Sequence, residues 1–310
     1  MVRGRRPTFA AVTVALCVLL VSTTDAAAQE KGTLNPRPLP PLANPDDPAT
    51  PAKELFARRT TPAEGEPRAI GFYSAGCLAG GIALPVDGPS WQVMRLSRNR
   101  NWGHPTLLRF LKDLANEVHA AKTWKGLLIG DMSQPRGGPM ITGHASHQIG
   151  LDADIWLTPM PQRHLTRAQR EEMLSTNMVA KSRLDVDASR WRPDHRELIK
   201  AAALDPRVER IFVNPAIKKA LCREATGDRG WLEKVRPYWG HDYHFHVRLH
   251  CPADAAECKP QEPPPAGDGC ENDLAGWFTD DMLHPKPEKP RPPLTMADLP
   301  PACRAVLEAP

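Results

Sequence analysis

The stretch "GHASHQIGLDADIW", residues 143–156, combines two histidines and two aspartates with an alternating pattern of apolar residues. Successive side chains of a β-strand point to opposite faces, so one face of a strand over "LDADIWL" is apolar. That face comprises Leu151, Ala153, Ile155 and Leu157. The opposite face carries Asp152, Asp154 and Trp156. The pattern predicts a strand that packs on the core through one face and turns its aspartates toward a cleft.

A second strand with the same two-faced pattern is predicted in "DYHFHVRL", residues 242–249. Its apolar face holds Tyr243, Phe245, Val247 and Leu249, and its polar face holds His244, His246 and Arg248. Six of the eleven histidines of the chain fall in or beside these two strands, namely His144, His147, His241, His244, His246 and His250. Imidazoles concentrated beside carboxylates are typical of a metal site.

The two polar faces supply a predicted zinc site made of His147, Asp154 and His246. Catalytic zinc takes three protein ligands at about 2.0–2.2 Å and keeps a fourth position open, which two nitrogens and one carboxylate allow. His244 lies two residues from His246 on the same face, hence ~6.6 Å away along the strand. We therefore expect His244 to reach a water or the substrate instead of the ion.

The rest of the chain predicts an α+β fold with a central, mainly antiparallel sheet flanked by helices in a single domain. Helices are indicated from His104, where leucines recur at helical spacing, from about Thr166, and over residues 192–206. Short strands are indicated in "WKGLLIGDMS" and "VERIFVNP". Because helices and strands alternate without regular βαβ spacing, a parallel doubly wound sheet is disfavoured.

Both ends of the chain differ in composition from its middle. Residues 1–28 have arginines, an apolar run and small residues before Gln29, the pattern of a secretory signal peptide, and the run is too short for a membrane span. Residues 29–68 are predicted to be a Pro-rich linker, residues 69–284 the catalytic domain, and residues 285–310 a Pro-rich extension tied back by Cys303. Removal of residues 1–28 takes away three arginines and Asp25, so the formal charge falls from +4 to +2. This balance gives no electrostatic reason to expect nucleic acid as a partner.

The cysteines of the exported part indicate disulfides. Cys17 lies in the predicted signal peptide, and six others remain, namely Cys77, Cys222, Cys251, Cys258, Cys270 and Cys303. Six cysteines in an oxidising compartment suggest three disulfides, and spacing alone permits fifteen pairings. Cys251 and Cys258 flank a short loop and form the natural local pair. None lies in a Cys-x-x-Cys pattern, which argues against a structural zinc finger.

Two segments together, "PRGGPMITGHASHQIGLDADI" and "WGHDYHFHVRLHCP", resemble the penicillin-insensitive murein endopeptidase family. This family belongs with the zinc peptidases that include the lysostaphin-type and D-alanyl-D-alanine peptidases. The similarity extends over most of residues 70–280 and includes "SRNRNWGHP", "LLIGDMSQPRGGP" and the cysteine positions. The long Pro-rich tails are not matched.

The resemblance implies roles for individual residues. It makes His147, Asp154 and His246 the zinc ligands and His244 the catalytic histidine beside the metal. His144 and His241 match further active-site histidines, which either bind the substrate or transition state or act as hydrogen-bonding groups behind the ligands. The disulfides it implies are Cys77–Cys303, Cys222–Cys270 and Cys251–Cys258.

Other residues near the motifs allow two interpretations each. Asp152 is interpreted as an orienting or structural carboxylate, and His250 as structural or exposed. Arg136 lies in a flexible loop that could hold a carboxylate of the substrate or be a simple surface turn. Trp102 and Trp239 could line a substrate groove or be buried.

The function implied by the resemblance is hydrolysis of the D-alanyl-meso-diaminopimelyl amide cross-links of peptidoglycan in the periplasm. No Ser-x-x-Lys acylation motif occurs in the catalytic segments, which favours a metal-activated water over a covalent intermediate. The alternatives are a related zinc D,D-carboxypeptidase or amidase and a non-catalytic wall-binding module. Peptidoglycan is the expected partner and Zn²⁺ the expected cofactor; no insertion in the membrane is expected after removal of the signal peptide.

Overall fold

The computed structural model describes Met1, residues 31–286 and residues 291–310. Residues 31–310 form one compact unit. The predicted signal peptide, with Cys17, lies outside the described residues apart from Met1. No helix in the described part of the chain is both long and apolar enough to cross a membrane.

The secondary structure consists of short strands and helices that alternate along the chain. The strands are β1 (Arg68–Phe72), β2 (Ala75–Ala79), β3 (Ile82–Ala83), β4 (Trp91–Val93), β5 (Trp102–Gly103), β6 (Leu127–Ile129), β7 (Asp152–Trp156), β8 (Val208–Val213), β9 (Val235–Pro237) and β10 (His244–Leu249). The α-helices are α1 (Ala52–Phe56), α2 (Pro105–Ala120), α3 (Arg167–Glu172), α4 (Pro193–Leu204), α5 (Pro215–Glu224), α6 (Asn272–Ala275), α7 (Asp280–Leu283) and α8 (Ala302–Glu308). Single turns of 3₁₀ helix cover Leu96–Arg98, Gly230–Lys234, Gly276–Phe278 and Met296–Asp298.

Six of the strands form the central sheet, in the order β4-β6-β7-β10-β8-β9. The three inner pairings, β6 with β7, β7 with β10 and β10 with β8, are antiparallel. The two outer pairings, β4 with β6 and β8 with β9, are parallel. Two further two-stranded sheets pair β1 with β2 and β3 with β5. The predicted α+β class and the mainly antiparallel central sheet are confirmed.

The register of β7 and β10 places their polar side chains opposite one another at the centre of the sheet. His246 pairs with Asp154, and Arg248 pairs with Asp152. The apolar residues of both strands, Ala153, Ile155, Phe245 and Val247, are fully buried in the main core. The polar face is buried as well: Asp152 is fully buried and Asp154 is only 4 % exposed. The expectation that both aspartates look outward into a cleft is therefore wrong for Asp152, which lies beneath the loop that precedes β7.

Capping residues mark the starts of helices α2 and α3. The ring of His104 accepts a hydrogen bond from the Thr106 amide at the start of α2, and Pro105 occupies the first turn, where its missing N–H costs nothing. The stripe predicted for this helix is buried and comprises Leu107, Leu108, Leu111, Leu114 and Val118. Thr166 caps α3 through a capping box, and its reciprocal partner is Gln169 instead of an acidic residue.

Three disulfides join distant parts of the chain. The pairs are Cys77–Cys303, Cys222–Cys270 and Cys251–Cys258, the same pairs that the family resemblance implies. The first holds α8 against β2 in a second, smaller core, which also includes Phe56 of α1. Residues 31–68, predicted as linker, thus contribute buried side chains beside α8.

Arg136 does not lie in a flexible surface turn. Its side chain is buried, and its guanidinium donates hydrogen bonds to backbone carbonyls of Thr61, Val306, Leu307, Ala309 and Pro310. All three guanidinium nitrogens thereby donate to the chain itself and the side chain is buried, so Arg136 is not available to hold a substrate carboxylate. Both interpretations of Arg136 from the sequence are wrong, because its partners come from remote segments.

We expect Arg136→Met to lower the free energy of unfolding by about 2–4 kcal/mol, because it leaves several buried carbonyls without donors. The matched control is Arg304→Met on α8, whose side chain is 61 % exposed and pairs with Glu308. This control should cost less than about 0.5 kcal/mol, as exposed helical ion pairs do. Urea unfolding with the disulfides intact measures both, and equal losses in the two variants would contradict the role of Arg136.

Candidate metal centre

The loop before β7 places His147 over the sheet in an unusual backbone conformation. His147 has φ = 66°, in the left-handed region that side chains other than glycine rarely adopt. Its backbone N–H donates to Asp152 Oδ2 at 3.0 Å, so the buried carboxylate holds this conformation. The imidazole of His147 is consequently fixed above β7 and is fully buried.

Four histidine nitrogens surround the carboxylate of Asp154. His147 Nε2 and His246 Nδ1 each lie 3.4 Å from Asp154 Oδ1, and His244 Nε2 lies 3.6 Å from the same oxygen. His144 Nε2 is 3.4 Å from Asp154 Oδ2. The structure thus brings together the three predicted ligands and two of the three predicted catalytic histidines.

Several nitrogen and oxygen atoms that could bind a metal in this cluster make no hydrogen bond. They are both ring nitrogens of His147, Asp154 Oδ1, His244 Nδ1 and His246 Nε2, all of them buried. A buried polar atom without a partner costs about 1–3 kcal/mol, so several together call for an additional group among them. Imidazole nitrogens and a carboxylate oxygen are the donor types that zinc prefers. The residues present therefore fit a bound divalent metal ion.

The compact trio of possible metal ligands in the described part of the chain differs from the predicted set by one residue. Donor atoms of His144, His147 and Asp154 all lie within 4.8 Å of one another, which makes this trio compact enough for one ion. The set predicted from the sequence has His246 in place of His144. His246 Nδ1 is as close to Asp154 Oδ1 as His147 Nε2 is, and the rings of His147 and His246 are 4.5 Å apart. Because of this proximity we retain His246 as a candidate ligand alongside His144.

Burial and charge give these groups the protonation states that a cation requires. Burial lowers the pKa of His244 to about 3 and that of His246 to about 4, so both imidazoles are neutral at pH 7. Burial alone would raise the pKa of Asp154, but the imidazoles of His244, His144 and His147 hold it well below its usual value. The centre therefore offers an ionised carboxylate beside the neutral imidazoles of His244 and His246.

The Asp152 carboxylate contacts two of the candidate ligands, His147 through its amide and His246 through its ring. Its Oδ1 accepts a hydrogen bond from Arg248 Nε at 2.8 Å and lies 3.1 Å from His246 Nε2, although that second contact is poorly aligned for a hydrogen bond. Burial would raise the pKa of Asp152, but Arg248 and His246 hold it well below its usual value. An anion facing Nε2 leaves Nδ1 of His246 to face Asp154. These are the contacts of an orienting carboxylate.

A second buried carboxylate, Asp131, holds His144 from the other side. Asp131 Oδ2 accepts hydrogen bonds from Arg98 at 3.0 Å and Arg100 at 2.9 Å, and it lies 3.1 Å from His144 Nε2. Burial would lower the pKa of His144, but Asp154 and Asp131 raise it above the ordinary value. Sequence reasoning assigned no role to Asp131, Arg98 or Arg100. The position of Asp131 just after the predicted strand in "WKGLLIGDMS" could have suggested that it lies near the site, because that strand, β6, neighbours β7 in the sheet.

His241 completes the group of imidazoles. Its Nδ1 lies 3.0 Å from the carbonyl oxygen of Trp239, to which it donates, so the neutral ring keeps its lone pair on Nε2. The ring centre is 5.0 Å from that of His244. Burial lowers the pKa of His241. His250 is exposed and follows the end of β10, as one of its two interpretations proposed.

The two tryptophans singled out in the sequence are half-buried. The Trp102 indole donates to Asn99 Oδ1. Trp239 packs against the Arg183 guanidinium, 4.4 Å from its ring centre, and against the edge of Trp277.

Comparison with known proteins gives the family. Residues 69–308 match the model of the family described as penicillin-insensitive murein endopeptidase. A protein of that name from Pectobacterium atrosepticum is 48% identical over 258 residues, which cover 83% of this chain and 90% of the relative. Relatives with the same name from Klebsiella pneumoniae and Haemophilus influenzae are 47% and 45% identical, each covering 84% of this chain and 92% and 90% of their own length. The chain therefore belongs to the penicillin-insensitive murein endopeptidase family of peptidases.

Proposed function

We propose that this protein hydrolyses the D-alanyl-meso-diaminopimelyl amide cross-links of peptidoglycan with the help of a zinc ion. The observation that carries the proposal is the buried cluster around Asp154, where an ionised carboxylate is surrounded by imidazole nitrogens, several of them without hydrogen bonds. His147, Asp154 and His246 would hold the ion, and His144 would stay beside it as a hydrogen-bonding group. A zinc ion bound there supplies Lewis acidity, which polarises an amide carbonyl and makes water a stronger acid.

The chain itself supplies the proton transfers of this reaction. His244 lies beside the proposed ligands, with Nε2 3.6 Å from Asp154 Oδ1, and we assign to its imidazole the acceptance of a proton from the attacking water. His241 presents Nε2 beside it, because Nδ1 is committed to the Trp239 carbonyl. His144, whose pKa Asp154 and Asp131 raise, can donate a hydrogen bond to negative charge that develops on the carbonyl oxygen.

The expected location is the periplasm. Residues 1–28 have the composition of a signal peptide, and the three disulfides require an oxidising compartment. Peptidoglycan is accessible there, and the names of the relatives state murein as their substrate. The short Cys251–Cys258 loop begins two residues after the end of β10, so oxidation also closes the segment that follows this strand.

The proposed function predicts that purified protein loaded with zinc converts cross-linked dimeric muropeptides into monomers. Removal of the metal with a chelator should abolish conversion, and added zinc should restore it. Mass spectrometry of the products, with metal analysis of the same sample, provides the measurement. Release of free D-alanine without monomers would indicate a carboxypeptidase, and cleavage between sugar and peptide would indicate an amidase. Binding of murein by the zinc-loaded protein without any cleavage would support a wall-binding module.

Substitution of two histidines on β10 separates metal binding from catalysis. We expect His246→Ala to lose zinc and activity together, because a ligand is removed. His244→Ala should retain zinc while its turnover falls by about 10²–10⁴, the usual contribution of general acid–base catalysis. Metal content and kcat are measured on the same preparations, with His250→Ala as the control on the exposed end of the strand. Near-normal turnover in His244→Ala would exclude the proposed role for this residue.

The orienting role of Asp152 predicts an effect on metal affinity. Asp152→Asn keeps the volume of the side chain but removes the charge that faces His246 and Arg248. We expect zinc affinity to fall by about 10–100-fold, the usual effect of losing a group that orients a metal ligand. Competition with a chromophoric chelator measures the affinity. Asp113→Asn is the matched control, because the Asp113 side chain is 62 % exposed and pairs with Arg207 away from the candidate ligands. Equal affinities in the two variants would refute the orienting role.

A further inference from the structure

Tyr238 is the only aromatic residue in the described part of the chain whose side chain is largely exposed. The residue is 54 % exposed, whereas every other Phe, Tyr and Trp of this part is buried or half-buried. Apolar rings normally lose much of their exposed area on folding, because their burial is favourable. An exposed ring in a fixed position is therefore a feature that the stability of the fold does not require.

The position of Tyr238 is fixed by the sheet. The residue directly follows β9, and its backbone N–H donates to the Val213 carbonyl at 2.8 Å. Its ring meets Phe212 of β8 edge-on, with ring centres 5.7 Å apart. Phe212 in turn meets the His246 ring edge-on at 5.3 Å. The backbone and ring of Tyr238 are thus anchored on β8, which neighbours β10 in the central sheet.

Tyr238 also contacts His241, one of the proposed catalytic histidines. Its ring lies edge-on to His241, with centres 5.5 Å apart and planes at 86°. His241 is 5.0 Å from His244 and 5.9 Å from His246, measured between ring centres. The ring of His241 therefore links Tyr238 to His244, and a group that packs on Tyr238 lies close to the proposed catalytic histidines.

The next residue shows that exposure is specific to Tyr238. Trp239 is half-buried, since the guanidinium of Arg183 covers its ring and Trp277 meets its edge. Arg183 is held in turn by a hydrogen bond to the Leu283 carbonyl. Of the two adjacent aromatic side chains, the chain covers Trp239 and leaves Tyr238 open beside the histidines.

We propose that Tyr238 is a substrate-positioning residue whose exposed ring packs against the aliphatic part of the stem peptide next to the scissile amide. The inference rests on the proposed function, because it takes the cross-linked peptide as the substrate. An extended peptide advances about 3.3–3.6 Å per residue, so a ring one side chain away from the reacting centre meets the residues that flank the cleaved bond. The methyl group of D-alanine and the methylene chain of the diaminopimelyl residue are the apolar groups available there.

The test compares Tyr238→Ala with Tyr238→Phe on a cross-linked peptide dimer that lacks sugars. A packing contact that is made equally before and during reaction changes KM and leaves kcat unaltered. We expect Tyr238→Ala to raise KM about tenfold, the size of one good aromatic contact, with kcat within about twofold of wild type. Tyr238→Phe keeps the ring and should restore KM to within about twofold. Leu204→Ala, at an exposed apolar residue of α4, is the control and should leave both constants unchanged.

Three results would overturn the inference. Unchanged KM in Tyr238→Ala means that the ring does not contact the substrate. An equal loss in Tyr238→Phe means that the hydroxyl, and not the ring, makes the contact. An effect seen with sugar-bearing muropeptide dimers but absent with the sugar-free dimer means that the ring binds glycan. Zinc content and thermal unfolding of each variant are measured in parallel, and a loss of zinc in Tyr238→Ala also counts against a pure positioning role. Failure of the wild-type protein to cleave either dimer is a separate outcome, which refutes the proposed function itself.

Discussion

The contacts of the buried Asp152 carboxylate are the interactions on which the candidate metal centre depends. A fully buried anion is costly unless it is paired and hydrogen-bonded, and Asp152 meets this condition through Arg248, the amide of His147 and the nearby ring of His246. The same contacts fix the left-handed backbone of His147 and the ring orientation of His246. The electrostatic requirement of one side chain thereby determines where two candidate ligands point.

Much of this arrangement could be predicted from the alternation of apolar and polar residues. A period of two assigns each side chain of β7 and β10 to a face, and pairing of the strands then brings His246 opposite Asp154. The concentration of histidines in two segments indicated that these faces meet. The alternation could not show that the polar face is itself buried. The loop before β7 covers this face, and the position of a loop depends on its tertiary contacts, which a periodic pattern does not contain.

The parts that could not be predicted depend on partners far apart in the sequence. Arg136 looked like a loop cation because its partners, the carbonyls near Thr61 and in α8, are distant in the chain. Asp131 appeared only as a polar residue after a short strand, and its binding of Arg98, Arg100 and His144 requires the parallel and antiparallel order of β4, β6 and β7. Local patterns contain no information about such contacts.

The site combines a buried, electrostatically fixed interior with a partly open edge. Asp154 and His246 are almost inaccessible, which keeps the imidazole of His246 neutral and strengthens charge interactions at the centre. His144 retains 22 % exposure and Tyr238 more than half, on different elements around the same histidines. A large, cross-linked substrate cannot enter a closed cavity, so one of its bonds must be presented to donors that lie just below the surface. An exposed, anchored ring beside buried histidines satisfies this requirement, because it can hold a polymer at the edge without admitting it to the interior.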